Sequence, residues 1–109
     1  MMEEWTMKGL ENILMELVCY AGNAKSMALQ AVMKAENKDM EAAKEKLQDA
    51  KGELHKAHTI QTDLMTKEIQ GEPIEKSILL IHAQDHFMAA NTVIELAERF
   101  LRLYENFKR

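Results

Sequence analysis

The stretch "QGEPIEKSILLIHAQDHFMAAN", residues Gln70 to Asn91, contains both the turn and the helix that decide how this chain folds. Gly71 can take the left-handed conformation that ends a helix, and Pro73 cannot continue a helix but can open the next. One helix is therefore expected to close at about residue 70. Another should begin at Ile74 or Glu75 and run to about 107. Within that second helix Ile78, Leu79, Leu80 and Ile81 are consecutive, and Phe87, Met88, Ala89 and Ala90 are consecutive again. Four apolar residues in a row point all round a helix, so a single buried stripe cannot hold them. Between the two runs stand His82, Asp85 and His86.

Upstream of the break the pattern is simpler. Leu10, Leu14, Leu17, Ala21, Ala24, Ala28, Ala31 and Ala35 recur in alternating steps of four and three, the seam of an amphipathic helix expected over about 3–36. Gly22 and Asn23 lie inside it and could kink it. A second seam, Ala43, Leu47, Ala50, Leu54, Ala57, Gln61 and Leu64, predicts a helix over about 39–70. Asn37 or Asp39 can cap its first amides, and Asp39 and Glu41 suit the positive end of its dipole. Short links between three long helices make neighbours antiparallel. The fold class is all-α, an up-down-up three-helix bundle. The 109 residues form a single domain, 1–109.

The composition agrees, with one proline, four glycines and 47% apolar residues. No uncharged stretch approaches the ~20 residues of a bilayer span. "MMEEWTMKG" has no basic-then-apolar leader, and Cys19 is the only cysteine, so the reducing cytoplasm is the expected setting. A net charge of −4 with interspersed signs argues against nucleic acid and anionic membranes as partners. Cys19 is expected as a small core hydrophobe, and Trp5 and the methionines as packing residues.

The surplus apolar surface on the third helix predicts self-association, because monomers tolerate only modest exposed patches and closed homo-oligomers are the common remedy. At about 100° per residue, His82 and His86 share one side of the helix. Asp85 falls on the other flank, in line with Ile78, Thr92, Leu96 and Leu103. A carboxylate on such a seam must be paired, protonated or bound to a cation. The histidine pair has three readings: hydrogen-bonded interface residues, a metal pair, or a nucleophilic imidazole that takes and releases a group near neutral pH. The zinc-hydrolase pattern H-E-x-x-H is absent, since this chain reads H-A-Q-D-H. A carboxylate-bridged bundle would need Glu three residues before His82 or His86, and neither has one. Spacing alone does not separate the remaining readings, and a non-enzymatic oligomeric scaffold or adaptor would not need His82 at all.

The words themselves go further. "HAQDH" at His82 to His86, "AHTIQT" at Ala57 to Thr62, "YAGNAKSMA" at Tyr20 to Ala28 and "RLYENF" near the end occur in this order. Together they resemble the enzyme IIA components of the lactose/cellobiose (chitobiose) family of the bacterial phosphoenolpyruvate-dependent sugar phosphotransferase system. The resemblance covers almost all of residues 6–107. Phe87 stands where leucine is expected, and Asp63 where a small residue is more usual.

The resemblance implies a homotrimer of three-helix bundles, a nine-helix assembly. His82 would be the phosphorylated histidine, and Asp85 of each subunit would meet on the three-fold axis around Mg2+ or another divalent cation. The phosphoryl group would come from the phosphohistidine of HPr and pass to a cysteine of the cognate IIB component. The membrane component IIC would be involved only indirectly. The sugar would be of the cellobiose, chitobiose or lactose type, the wording leaning towards the first two. His86, one turn from His82, is the nearest candidate supporting donor. Gln84 points roughly 160° from His82 on the helical wheel, so its supporting role is expected across a subunit boundary. His58 is read as an interface histidine with a site-lining role as the alternative, and His55 as solvated.

Overall fold

The computed structural model describes residues 7–107 as three helices: α1 (Met7–Glu36), α2 (Met40–Ile69) and α3 (Ile78–Asn106). The start expected for α1 at about residue 3, and Trp5, lie outside the described residues. There is no strand among the described residues. Thirty residues at 1.5 Å each give helices of about 45 Å, and the molecule measures 56 × 22 × 19 Å.

All eight residues of the first seam are buried, from Leu10 to Ala35. On α2 Ala43, Leu47, Ala50, Ala57 and Leu64 are buried, while Leu54 and Gln61 of the expected seam are half-buried. On α3 the buried line is Ala83, Phe87, Ala90, Ile94, Ala97 and Leu101. Alanine dominates this core, and the largest fully buried side chains are only Leu14 and Leu17. Small residues let helices approach closely but bury little apolar area each. The core within one chain is therefore tight and thin.

Gly22 does not kink α1, which runs unbroken from Met7 to Glu36. The two links differ in detail from expectation. Asp39 is the cap of α2, its side chain accepting from the Ala42 amide at 3.2 Å. Pro73 does not open α3; the helix starts at Ile78, three or four residues later than its sequence suggests. Ser77 is extended and its Oγ accepts from the Leu80 amide at 3.1 Å. A serine placed to satisfy an orphan amide outweighs a proline that merely tolerates the first turn.

Both α1 and α2 end in the same hydrogen-bonded turn. The Asp39 amide donates to the Lys34 carbonyl and the Lys38 amide to that of Ala35; Glu72 and Gly71 do the same to Lys67 and Glu68. This motif needs one left-handed residue. In the second turn it is Gly71, φ +90°; in the first it is Lys38, φ +65°. For a residue with a Cβ that conformation costs about 1 kcal/mol or more.

Along one side, α2 and α3 are tied by polar contacts at intervals. Lys44 bonds Glu105 at 2.8 Å and Lys51 bonds Glu98 at 2.7 Å. Nearer the link Gln61 meets Gln84, and Lys76 meets Glu68. The Lys51 hydrogen bond holds the Glu98 carboxyl below the usual carboxylate range. Stabilisation from a depressed carboxylate is present above its unfolded pKa and lost as pH falls through the folded one. Exposed pairs of this kind contribute little each.

The asymmetry of the two turns is testable. Lys38→Gly should raise unfolding stability by about 0.5–1 kcal/mol, while Gly71→Lys should lower it by at least about 1 kcal/mol. Denaturant titration of both variants checks the pair.

Candidate functional site

Each side of α3 has a different neighbour. Ala83 and Phe87 face the core. Gln84 faces α2, where its amide and that of Gln61 donate to each other at 2.7 and 2.6 Å. His82 and His86 lie on the flank towards α1. The side opposite the core is apolar and exposed: Ile78 is 84%, Ile81 66%, Met88 66%, Leu96 52% and Leu103 50% accessible. Asp85 and Thr92 complete this outer stripe, whose steps alternate between three and four residues from Ile78 to Thr92 and continue to Leu96 and Leu103 at four and seven.

His82 is exposed, and His86 beneath it is half-buried. The rings meet edge-on, 4.5 Å apart at 73°. Two imidazoles one helical turn apart can thus address one small group, one as nucleophile and the other as hydrogen-bond donor. The reason His86 fits lies on α1. A Cβ at Gly22 would sit 4.0 Å from the His86 Nδ1 atom. Glycine here leaves the imidazole a smooth backbone surface and keeps the space between α1 and α3 free of a side chain. The sequence marked Gly22 only as a helix weakness; its position inside "YAGNAKSMA" was the available signal.

The other expected residues fall as follows. Asp85 is exposed in the single chain and has no hydrogen-bond or ion-pair partner among the described residues. His58 is exposed, its ring stacked on that of Phe87 at 6.1 Å, so the aromatic at position 87 meets a flat partner rather than empty space. His55 is exposed. Cys19 is exposed, not a core residue. It stands two positions after Leu17, about 200° round the helix, so it points away from the seam. Met15, Met33, Met65 and Met88 are likewise exposed rather than packed within the chain. Among the described residues no three His, Cys, Asp or Glu side chains gather as a metal site within one chain. No described helix is long and apolar enough to cross a membrane.

Residues 12–105 match the family described as "PTS system, Lactose/Cellobiose specific IIA subunit". The chain belongs to this family. It is an enzyme IIA component, a phosphocarrier of the sugar phosphotransferase system. It is 44% identical over 96 residues to the lichenan-specific phosphotransferase enzyme IIA component of Bacillus subtilis, covering 88% of this chain and 87% of that one. The fold matches the crystal structure of the cellobiose-specific enzyme IIA from Bacillus anthracis with a TM-score of 0.88 and 42% identity, covering 94% of this chain and 93% of that one. It also matches the IIA(Chitobiose) chain solved in complex with HPr from Escherichia coli, with a TM-score of 0.75 and 33% identity, covering 92% of this chain and 97% of that one.

The contact at Gly22 yields a graded expectation. Gly22→Ala places its methyl at ordinary van der Waals distance and should stabilise α1 by roughly 1 kcal/mol, with phosphoryl acceptance intact. Gly22→Leu should displace His86 and slow acceptance at least tenfold. Rapid-quench labelling of both variants checks this order.

Proposed function

We propose that His82 carries the phosphoryl group, taking it from the phosphohistidine of HPr and passing it to the cysteine of the cognate IIB component. The observation that carries this reading is the paired geometry on α3: an exposed imidazole with a second imidazole edge-on at 4.5 Å. The phosphorus–nitrogen bond in phospho-HPr breaks as one to His82 forms. In the next step that bond breaks as a phosphorus–sulfur bond forms on IIB. Such transfers ask little covalent work of a protein and much positioning and charge stabilisation. His82 supplies a nucleophile on a stiff helix. His86, seated against Gly22, supplies an N–H towards the oxygens of the transferred group without a fixed positive clamp that would hinder its departure. The IIA(Chitobiose)–HPr complex supports HPr as donor by likeness. The sugar class follows the relatives, which include cellobiose- and lichenan-specific components, and the work belongs in the bacterial cytoplasm.

The working assembly in this reading is a homotrimer. What supports it is the stripe of Ile78, Ile81, Met88, Leu96 and Leu103, all at least half exposed in one chain, on the side of α3 opposite its core face. Three such stripes on an axis would bury one another. They would also bring three copies of Asp85 together, and three close carboxylates repel. Asp85 fits a shared divalent cation such as Mg2+: it is a carboxylate with no partner among the described residues, and hard cations take oxygen ligands. Such an ion would cancel the repulsion and hold the subunits together.

Two experiments test the reading. Incubated with phosphoenolpyruvate, enzyme I and HPr, the native chain should take one phosphoryl group, and His82→Ala none, while His55→Ala, His58→Ala and Cys19→Ala proteins still label. Full labelling of His82→Ala would end the carrier assignment. Sedimentation equilibrium should return three times the chain mass, weakened by chelator. Asp85→Leu removes repulsion and adds apolar contact, which is often neutral or stabilising, so its trimer should ignore chelator. Equal chelator effects on both proteins would remove the axial ion.

A further inference from the structure

The polar contacts between α2 and α3 are not uniform. Away from the site they are lysine–glutamate pairs, Lys44–Glu105 and Lys51–Glu98. Level with the histidines, the contact is instead a closed ring of two amides. Gln61 Nε2 donates to Gln84 Oε1 at 2.6 Å and Gln84 Nε2 donates to Gln61 Oε1 at 2.7 Å, and both side chains are partly buried. One turn further on, the His58 ring stacks on Phe87. We infer that Gln61 and Gln84 form a clip that fixes the rotation of α3 about its own axis, and so act as positioning residues for His82. This rests on the carrier role proposed for His82.

The physical argument starts from where the two ends of the lever lie. Gln84 and His82 are two residues apart, which puts them roughly 160° apart round α3. Holding one holds the other. With side chains a helix has a radius of 5–6 Å, so a rotation of about 10° carries an imidazole through about 1 Å. A misplacement of that size can slow a positioned reaction by up to about a hundredfold. The apolar contacts of α3 in the core hold the helix against the bundle but are not directional, and near the histidines two of them, Ala83 and Ala90 on either side of Phe87, have almost no side chain to interlock. An amide pair is directional in a way methyl contacts are not, since both hydrogen bonds need nearly straight N–H···O geometry. It also uses one donor and the acceptor of each glutamine without adding net charge near an incoming phosphoryl group. Gln84 is thereby engaged inside its own chain, by a residue that sequence periodicity assigned only to a packing seam.

The test replaces the amides without changing shape or packing volume much. Gln61→Met and Gln84→Met should fold, sediment as the native protein does, and still accept one phosphoryl group at completion. Their rate of acceptance from phospho-HPr should fall tenfold or more. The double variant Gln61→Lys/Gln84→Glu copies the Lys51–Glu98 arrangement, with the lysine on α2 and the glutamate on α3. It should return the rate to within about threefold of native, although it holds neither amide. Should either methionine variant fail to fold, the same comparison runs with Gln61→Lys and Gln84→Glu singly, each expected to be slow where their combination is fast. Native rates in both single variants overturn the clip. So does a slow double variant that is folded and of native mass, or a loss confined to Gln84 substitutions, which would make Gln84 a direct donor to the phosphoryl group. Loss of the carrier role itself would show separately, as labelling that persists in His82→Ala.

Discussion

Helix α3 has two apolar faces on opposite sides, and one chain can bury only one of them. The face built from Ala83, Phe87, Ala90, Ile94, Ala97 and Leu101 closes the three-helix core. The face built from Ile78, Ile81, Met88, Leu96 and Leu103 is left at half exposure or more. Each buried CH2 group contributes on the order of 0.8 kcal/mol, so leaving several large side chains in water forgoes a substantial part of the available stabilisation. The core that is buried cannot compensate, because its largest fully enclosed side chains are two leucines and most of the rest is alanine. One chain alone therefore solves half of a packing problem, and the homotrimer proposed above would solve the other half between chains.

Seen from that constraint, Asp85 is the one residue of the outer stripe that works against association. Ile81 and Met88, on either side of it, favour burial, and a lone carboxylate between them opposes it. In the proposed trimer, a carboxylate there would make assembly conditional on something that neutralises it. A hydroxyl one heptad on, at Thr92, imposes no such condition. The pairing of a permissive apolar surface with one conditional charge is a common way of fixing register at some cost in stability.

Most of the fold was legible because the helical period does not depend on tertiary detail. Every residue of the α1 seam proved buried, and five of the seven on α2. The failures have local causes. Pro73 is compatible with a helix start but does not force one, whereas Ser77 satisfies an amide, and only the backbone geometry decides between them. Lys38 carries no signal for its left-handed conformation, since the turn it completes is set by the Asp39 and Lys34 backbone. Cys19 was misplaced by residue type when its angle from Leu17 already pointed outward. At the site, His82, Asp85 and His86 were marked by the conflict between their polarity and an apolar run. Gly22 and Gln61 escaped because what matters about each is its partner on another helix, His86 in one case and Gln84 in the other. Pairings across helices are invisible to periodicity.

The arrangement round α3 reconciles two demands that pull apart. A phosphoryl group that must arrive from one protein and leave to another needs an open nucleophile, yet rate depends on holding that nucleophile still. Openness and rigidity conflict if both are asked of the same surface. Here they are separated by angle. The core face anchors α3 along its length, the α2 flank grips it through Gln84, Glu98 and Glu105, and the outer stripe is apolar enough to be covered by further copies. Only the narrow flank carrying His82 is left to the α1 groove, and there Gly22 removes the side chain that would have filled it. Because a helix is stiff, fixing three of its sides fixes the fourth without touching it. In the carrier role proposed for His82, the imidazole is open to two successive partners while its backbone is held by the helix that bears it.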